Sequence, residues 1–184
     1  MPGGYATTGS QYNEYQGRTR TFAVPASHAS LISVGDAVLE TGTADALGNA
    51  QVDVATAGSL LTGIVVGIRP DFANEAFSDS KIVASTAGIV FVNVDPRAEF
   101  EVDVVNGPLL LADVGLNANL VATAATTTGG LTTSNMTLNA TGKATTATLQ
   151  FRILGLLAGT DGVLGSRAKV RLNAHTSIAG AAGV

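Results

Sequence analysis

The sequence predicts an all-β protein, a compact antiparallel sandwich or barrel of jelly-roll type with extended N- and C-terminal arms. Three observations predict it. Several segments alternate apolar and polar residues with a period of two, the mark of a strand with one buried face and one wet face. β-Branched runs such as Ile64-Val65-Val66 are flanked by glycines that weaken a helix. Gly, Asn, Asp and Pro turn signals recur at short intervals, which divides the chain into roughly eight to ten short strands without a long helix. The absence of a βαβ rhythm argues against a parallel α/β sheet.

The 184 residues suit one domain with extensions. We expect an arm over 1–20, a β-rich body over 21–175 and a flexible tail over 176–184. The arm has almost no large aliphatic residue and cannot bury a core. Its tyrosines Tyr5, Tyr12 and Tyr15, with Arg18 and Arg20 at its end, mark it as a segment that docks, because Tyr is enriched at interfaces.

Within the body, Thr21–Val24 is a short strand stopped by Pro25. Leu31–Leu39 forms two strand pieces bent at Gly35-Asp36. Glu40–Ala50 is turn-rich and is expected as a surface loop. Gln51–Val54 and Leu60–Ile68 follow as strands, the second deeply buried. A helical turn is conceivable only over Asp71–Phe77. Ile82–Ala84 is a further short strand.

Ile89–Val105 is the expected centre of the fold, two strands joined by Asp95-Pro96-Arg97. The first, with Val90, Val92 and Val94 on one side and Ile89 and Phe91 on the other, is apolar on both faces. In the second, Phe100, Val102 and Val104 face in, and Glu99, Glu101 and Asp103 form an outward acidic ladder. Asn106-Gly107 is a tight-turn signal. Ala122–Thr133 is Thr/Ala/Gly-rich and expected as an exposed loop or flat edge strand. In Thr148–Ile153, Leu149, Phe151 and Ile153 face in, with Thr148, Gln150 and Arg152 out. In Lys169–His175, Val170, Leu172 and Ala174 face in, with Lys169, Arg171, Asn173 and His175 out.

Composition narrows the function. Charged residues make up 13%, aromatics 5%, and Trp and Cys are absent. Typical soluble domains carry about 25% charge, so this surface is largely uncharged Thr, Ala, Asn, Ser and Gly, suited to close packing against neighbours. The net charge of −4 and scattered basic residues give no nucleic-acid footprint. Without cysteine there is no thiolate metal site and no disulfide. The opening residues lack a charged and then apolar signal pattern, and no apolar run reaches membrane-spanning length.

Catalytic signals are weak. Ser27, His28 and Asp36 are of triad type, but nothing around Ser27 resembles a nucleophile elbow. Gly155 to Gly162 lacks the Lys-Ser/Thr of a phosphate loop. We therefore expect no enzyme, no cofactor and no metal. The acidic ladder is best explained as a solvated strand face that discourages sheet aggregation. More specifically, Arg152, or Lys169 and Arg171, could oppose it across strands or across a subunit boundary, each pair worth about 0.2–1 kcal/mol.

The run VFVNVDPRAEFEVDVVNG, then ADVGLNANLV, a Thr/Gly-rich loop and SNMTLNATGKATTATLQFRILGL resembles small structural proteins of tailed bacteriophages, specifically capsid decoration or cement proteins. VGDAVLET and VDVATAGSLLTGIVVGI resemble them more loosely. The resemblance covers about residues 31–157 and rests on order and texture rather than on a catalytic signature. It implies a β-rich body, self-association as a dimer or trimer, and attachment to the major capsid protein on the outer surface of a virion, with synthesis in the host cytoplasm. It carries over no functional residue, and it implies neither nucleic acid nor membrane as a partner. The alternative is a receptor- or carbohydrate-binding module of a virion tail or fibre, which would favour exposed aromatics.

Overall fold

A computed structural model of the chain describes residues 18–69, 81–128, 131–180 and 182–184. Tyr5, Tyr12, Tyr15 and the helical turn expected over Asp71–Phe77 lie outside them. The all-β expectation holds. Among the described residues the only helical element is one 3-10 turn at Leu111–Asp113.

The strands form two principal sheets. The first half contributes β1 (Thr19–Val24), β2 (Ile32–Ser33), β3 (Ala37–Ala44), β4 (Ala50–Val54), β5 (Gly63–Ile68), β6 (Lys81–Ile82) and β7 (Gly88–Asn93). Five of these close a barrel in the order β1-β4-β3-β5-β7, with β7 returning to β1 over six antiparallel pairs. Period-two alternation fills it. Phe22, Val24, Val38, Val52, Val65, Val90 and Val92 point inward and are buried, with Ile32, Ile68 and Ile82 beside them. Gly63 permits the crossing of β5 on β7, because a Cβ there would overlap the Asn93 carbonyl oxygen.

The second half contributes β8 (Glu99–Val105), β9 (Asn117–Ala118), β10 (Leu120–Val121), β11 (Thr126–Thr128), β12 (Leu131–Thr133), β13 (Thr137–Asn139), β14 (Phe151–Ala158) and β15 (Leu164–Leu172). Six of them form a sheet in the order β10-β13-β8-β15-β14-β9. Its two edge strands, β9 and β10, are separated in sequence by Asn119 alone, so the sheet curls nearly shut. Leu109, Leu120, Leu138, Phe151, Ile153, Ala168, Val170 and Leu172 are its core. Pairing is antiparallel throughout both sheets except for β1 with β4 and β8 with β13.

Several expectations are corrected. The strands of Ile89–Val105 do not pair with each other. β7 belongs to the barrel and β8 to the six-stranded sheet, so 94–98 is the link between sheets. β7 is also not buried on both faces: Val90 and Val92 fill the barrel, whereas Phe91 is exposed. The expected loop Glu40–Ala50 is a hairpin whose first strand runs on to Ala44. Asp45 makes its turn, its Oδ1 accepting from the Leu47 and Asn49 backbone N–H groups at 2.9 and 2.8 Å. Asn106 and Gly107 both have positive φ, as a tight turn requires, but the chain leaves the turn without pairing back on β8. The Thr-rich stretch is a ribbon, β11 against β12.

Gln150, Asn173 and His175 are buried rather than outward. The reason is local. β14 begins at Phe151 and β15 ends at Leu172, so all three residues sit just outside the strand whose alternation was extended to them. The C-terminal residues lie along the body instead of extending from it. Thr176 N–H donates to the Leu61 carbonyl at 2.9 Å, Gly183 N–H to Thr145 at 2.9 Å and Val184 N–H to Gly115 at 3.0 Å.

A polar seam joins the two sheets. Gln150 Nε2 donates to the carbonyls of Thr56 and Ser59 at 2.8 and 3.0 Å, and its Oε1 accepts from Leu120 N–H at 3.1 Å. Asp36 accepts from Ser33 N–H at 2.7 Å and from the Ser134 hydroxyl at 2.5 Å. His175 bonds Thr62 O at 2.9 Å through Nε2, while its Nδ1 accepts from Ser177 N–H at 3.0 Å. A backbone N–H can only donate, so Nδ1 is bare and Nε2 carries the proton.

Candidate interaction surface

The outer face of the six-stranded sheet holds most of the predicted site residues. β8 presents Glu99, Glu101 and Asp103, all exposed, while Phe100, Val102 and Val104 lean on the core. β15 lies beside it with Arg171 opposite Glu99, Lys169 opposite Glu101 and Arg167 opposite Asp103. The acidic ladder therefore meets a basic one within the same chain. Arg167 stands 3.2 Å from Asp103 and 3.7 Å from Glu101, and Lys169 Nζ stands 3.3 Å from Glu99. Sequence reasoning named Lys169 and Arg171 as facing the ladder but missed Arg167, which lies two residues up the same strand face and was legible from that spacing.

Arg152 does not reach the ladder. It lies on β14, on the far side of β15, opposite Arg171, and its Nη1 donates to Ala182 O at 3.2 Å. Arg18 and Arg20 are exposed at the start of β1, in the other sheet. The Arg20 guanidinium sits 5.3 Å from the Phe22 ring centroid, a cation–π distance. The structure thus gathers Glu99, Glu101, Asp103, Arg152, Lys169 and Arg171 onto one face and leaves Arg18 and Arg20 elsewhere.

A second surface feature has no polar signature. The segment after Pro108 crosses the start of β15, where Leu109 N–H donates to Gly165 O at 3.0 Å. Gly165 has a φ of +88°, and a Cβ there would overlap the Leu109 carbonyl oxygen. Leu110 and Leu111 follow one of the two crossing residues, and Val163 and Leu164 precede the other. Their exposures are 64%, 76%, 46% and 53%, so all four aliphatic side chains face solvent. The segment is fixed by Asp113, whose Oδ2 accepts from Leu110 N–H at 2.7 Å and pairs with Lys143 Nζ at 3.1 Å.

The residues of triad type have separate partners. His28 is buried with Nδ1 2.8 Å from Pro25 O, and the Asp36 carboxylate is occupied by Ser33 and Ser134. Burial raises the Asp36 carboxyl above the ordinary carboxylate range, against the hydrogen bonds from Ser134 and Ser33 that lower it. Burial likewise lowers the His175 imidazole, opposed by its bond to Thr62 and by the charges of Asp95 and Glu40. Among the described residues, no three His, Cys, Asp or Glu side chains gather as a metal site.

No protein-family model, curated protein or solved structure matches the chain.

Proposed function

We propose that the chain is a virion structural protein, a decoration or cement protein that binds the outer surface of a phage head and stabilises the lattice through contacts between copies and with the major capsid protein. The observation that carries this reading is the set of exposed aliphatic residues Leu110, Leu111, Val163 and Leu164. Exposed aliphatic groups flanking a fixed backbone crossing suit a contact surface, and this crossing is held by the Leu109–Gly165 hydrogen bond and the Asp113–Lys143 pair. A cement protein needs contact area more than chemistry, and stable interfaces bury roughly 1,200–2,000 Å² in total. The low share of charged residues, 13% of the chain, supports the same reading. Many weak contacts repeated by lattice symmetry then add up as avidity.

The test is Leu111→Asp combined with Leu164→Asp. Both side chains are exposed, so the variant keeps the parent's circular dichroism and melting temperature. Capsid association, read by co-sedimentation with heads and by cryo-microscopy, falls sharply. A folded variant that decorates heads as the parent does removes the reading.

A further inference from the structure

Only one of the charge pairs on the outer sheet face, Arg167 with Asp103, runs straight across. Three cations on β15 stand in register with three carboxylates on β8. Yet Arg167 engages both Asp103 and Glu101, and Lys169 reaches diagonally to Glu99. Two of the three contacts are displaced by one position, and Arg171 is left without an ion pair among the described residues. On its other side Arg171 stands opposite Arg152, whose guanidinium contacts only the neutral carbonyl of Ala182 among them.

Side chains directly opposite on neighbouring antiparallel strands have Cβ atoms about 4.5–5.5 Å apart, and like charges there repel. Arginine cannot relieve the repulsion by losing its proton. Arg167 and Lys169 face three carboxylates, and Glu99, in register with Arg171, is turned to Lys169. With Arg152 and Arg171 added, four cations meet three carboxylates, so the face carries one excess positive charge. A carboxylate set between two guanidinium forks would accept two pairs of charge-assisted hydrogen bonds and cancel the repulsion.

We propose that Arg152 and Arg171 form a docking point for an Asp or Glu side chain of a partner protein. The chain's net charge of −4 disfavours a polyanion such as nucleic acid, whose many phosphates would be repelled by the surrounding molecule, and favours a single carboxylate on a low-charge surface. The site does not depend on the identity of the partner, so it stands or falls separately from the capsid reading. Arg171 is the better handle, because Arg152 also holds the C-terminal residues.

The test is titration of the full chain with a blocked Gly-Glu-Gly peptide, which carries one carboxylate, following the arginine Nε–Hε signals by NMR. We expect saturable shifts at Arg152 and Arg171, with Arg167 nearly still. Arg171→Gln should weaken binding about tenfold, the loss of one charge-assisted contact worth about 1.4 kcal/mol. Arg171→Lys, which keeps the charge and loses the fork, should fall between. The proposal is overturned by shifts that do not saturate, by equal shifts at Arg167, by parent-like binding in Arg171→Gln, or by an oligothymidylate that binds more tightly than the peptide.

Discussion

Gln150→Ala is the sharpest probe of how the two sheets are held together. The Gln150 side chain is fully buried and makes three hydrogen bonds to backbone groups: two donated to Thr56 and Ser59 carbonyls and one accepted from Leu120 N–H. Truncation leaves those three groups facing a void. Each unsatisfied buried polar group costs about 1–3 kcal/mol, though a water entering the space can recover part of it. We therefore expect a loss of about 3–5 kcal/mol, a large share of the 5–15 kcal/mol typical of a whole domain. Urea unfolding followed by circular dichroism measures it, as a lower midpoint with an unchanged slope if the chain unfolds in one step. Exposed Thr148→Ala, two residues away, should stay within about 0.5 kcal/mol of the parent. If Gln150→Ala loses less than about 1 kcal/mol, the side chain is not the tie described.

His175 gives a pH signature. Burial holds its folded pKa below the ordinary imidazole value of about 6.5, so the unfolded chain takes up a proton that the folded one refuses. Its stabilising contribution is complete above 6.5 and is lost as pH falls below it, by at most about 1.4 kcal/mol per pH unit. Unfolding midpoints at pH 7.5 and 5.5 should show this loss in the parent and less of it in His175→Gln. Asp36, whose folded pKa is raised, works oppositely, losing stability as pH rises above 3.8, and it cancels in that comparison. Glu99→Lys with Glu101→Lys sets cations against Lys169 and Arg167. We expect altered oligomer size or solubility by light scattering with the melting temperature down only slightly, since exposed pairs contribute about 0.2–1 kcal/mol each. A variant matching the parent in size, solubility and capsid binding reduces the ladder to a solvated face. Gly165→Ala combines a positive φ with overlap on the Leu109 carbonyl and should lower stability by about 2 kcal/mol or more, read by thermal melting.

The fold class was legible because alternation is a local property of a strand. β8 and β15 show it without interruption, and their inward and outward residues fall as expected over Glu99–Val105 and Lys169–Leu172. What alternation cannot tell is which strand pairs with which. Ile89–Val94 and Glu99–Val105 are neighbours in sequence, yet their partners are β1 and β5 for one and β15 and β13 for the other. Nor does it tell where a strand ends, and Gln150, Asn173 and His175 were misplaced for that reason. The facing charges on β8 and β15 were half legible, as types and spacing without the register that sets them opposite one another. The exposed aliphatic residues had no signal at all, because Leu110-Leu111 and Val163-Leu164 are apolar pairs of the kind that usually enter a core. In the fold they flank the Leu109–Gly165 crossing and face solvent.

The polar seam also bears on how a nascent chain reaches this structure. All five barrel strands have been made once Asn93 has left the ribosome. Asp36, however, waits for a partner 98 residues further along, the Thr56 carbonyl for one 94 residues along and the Thr62 carbonyl for one 113 residues along. At about 5–20 residues per second, that is an interval of seconds in which an otherwise complete barrel lacks the side chains that satisfy its rim. The first half is thus a shape the growing chain can sample but not lock. Final commitment comes only after the last strand, when His175 follows Ser134 and Gln150 out of the ribosome. Loss of the segment beyond Asn173 should therefore destabilise the first barrel as well as the sheet that carries it.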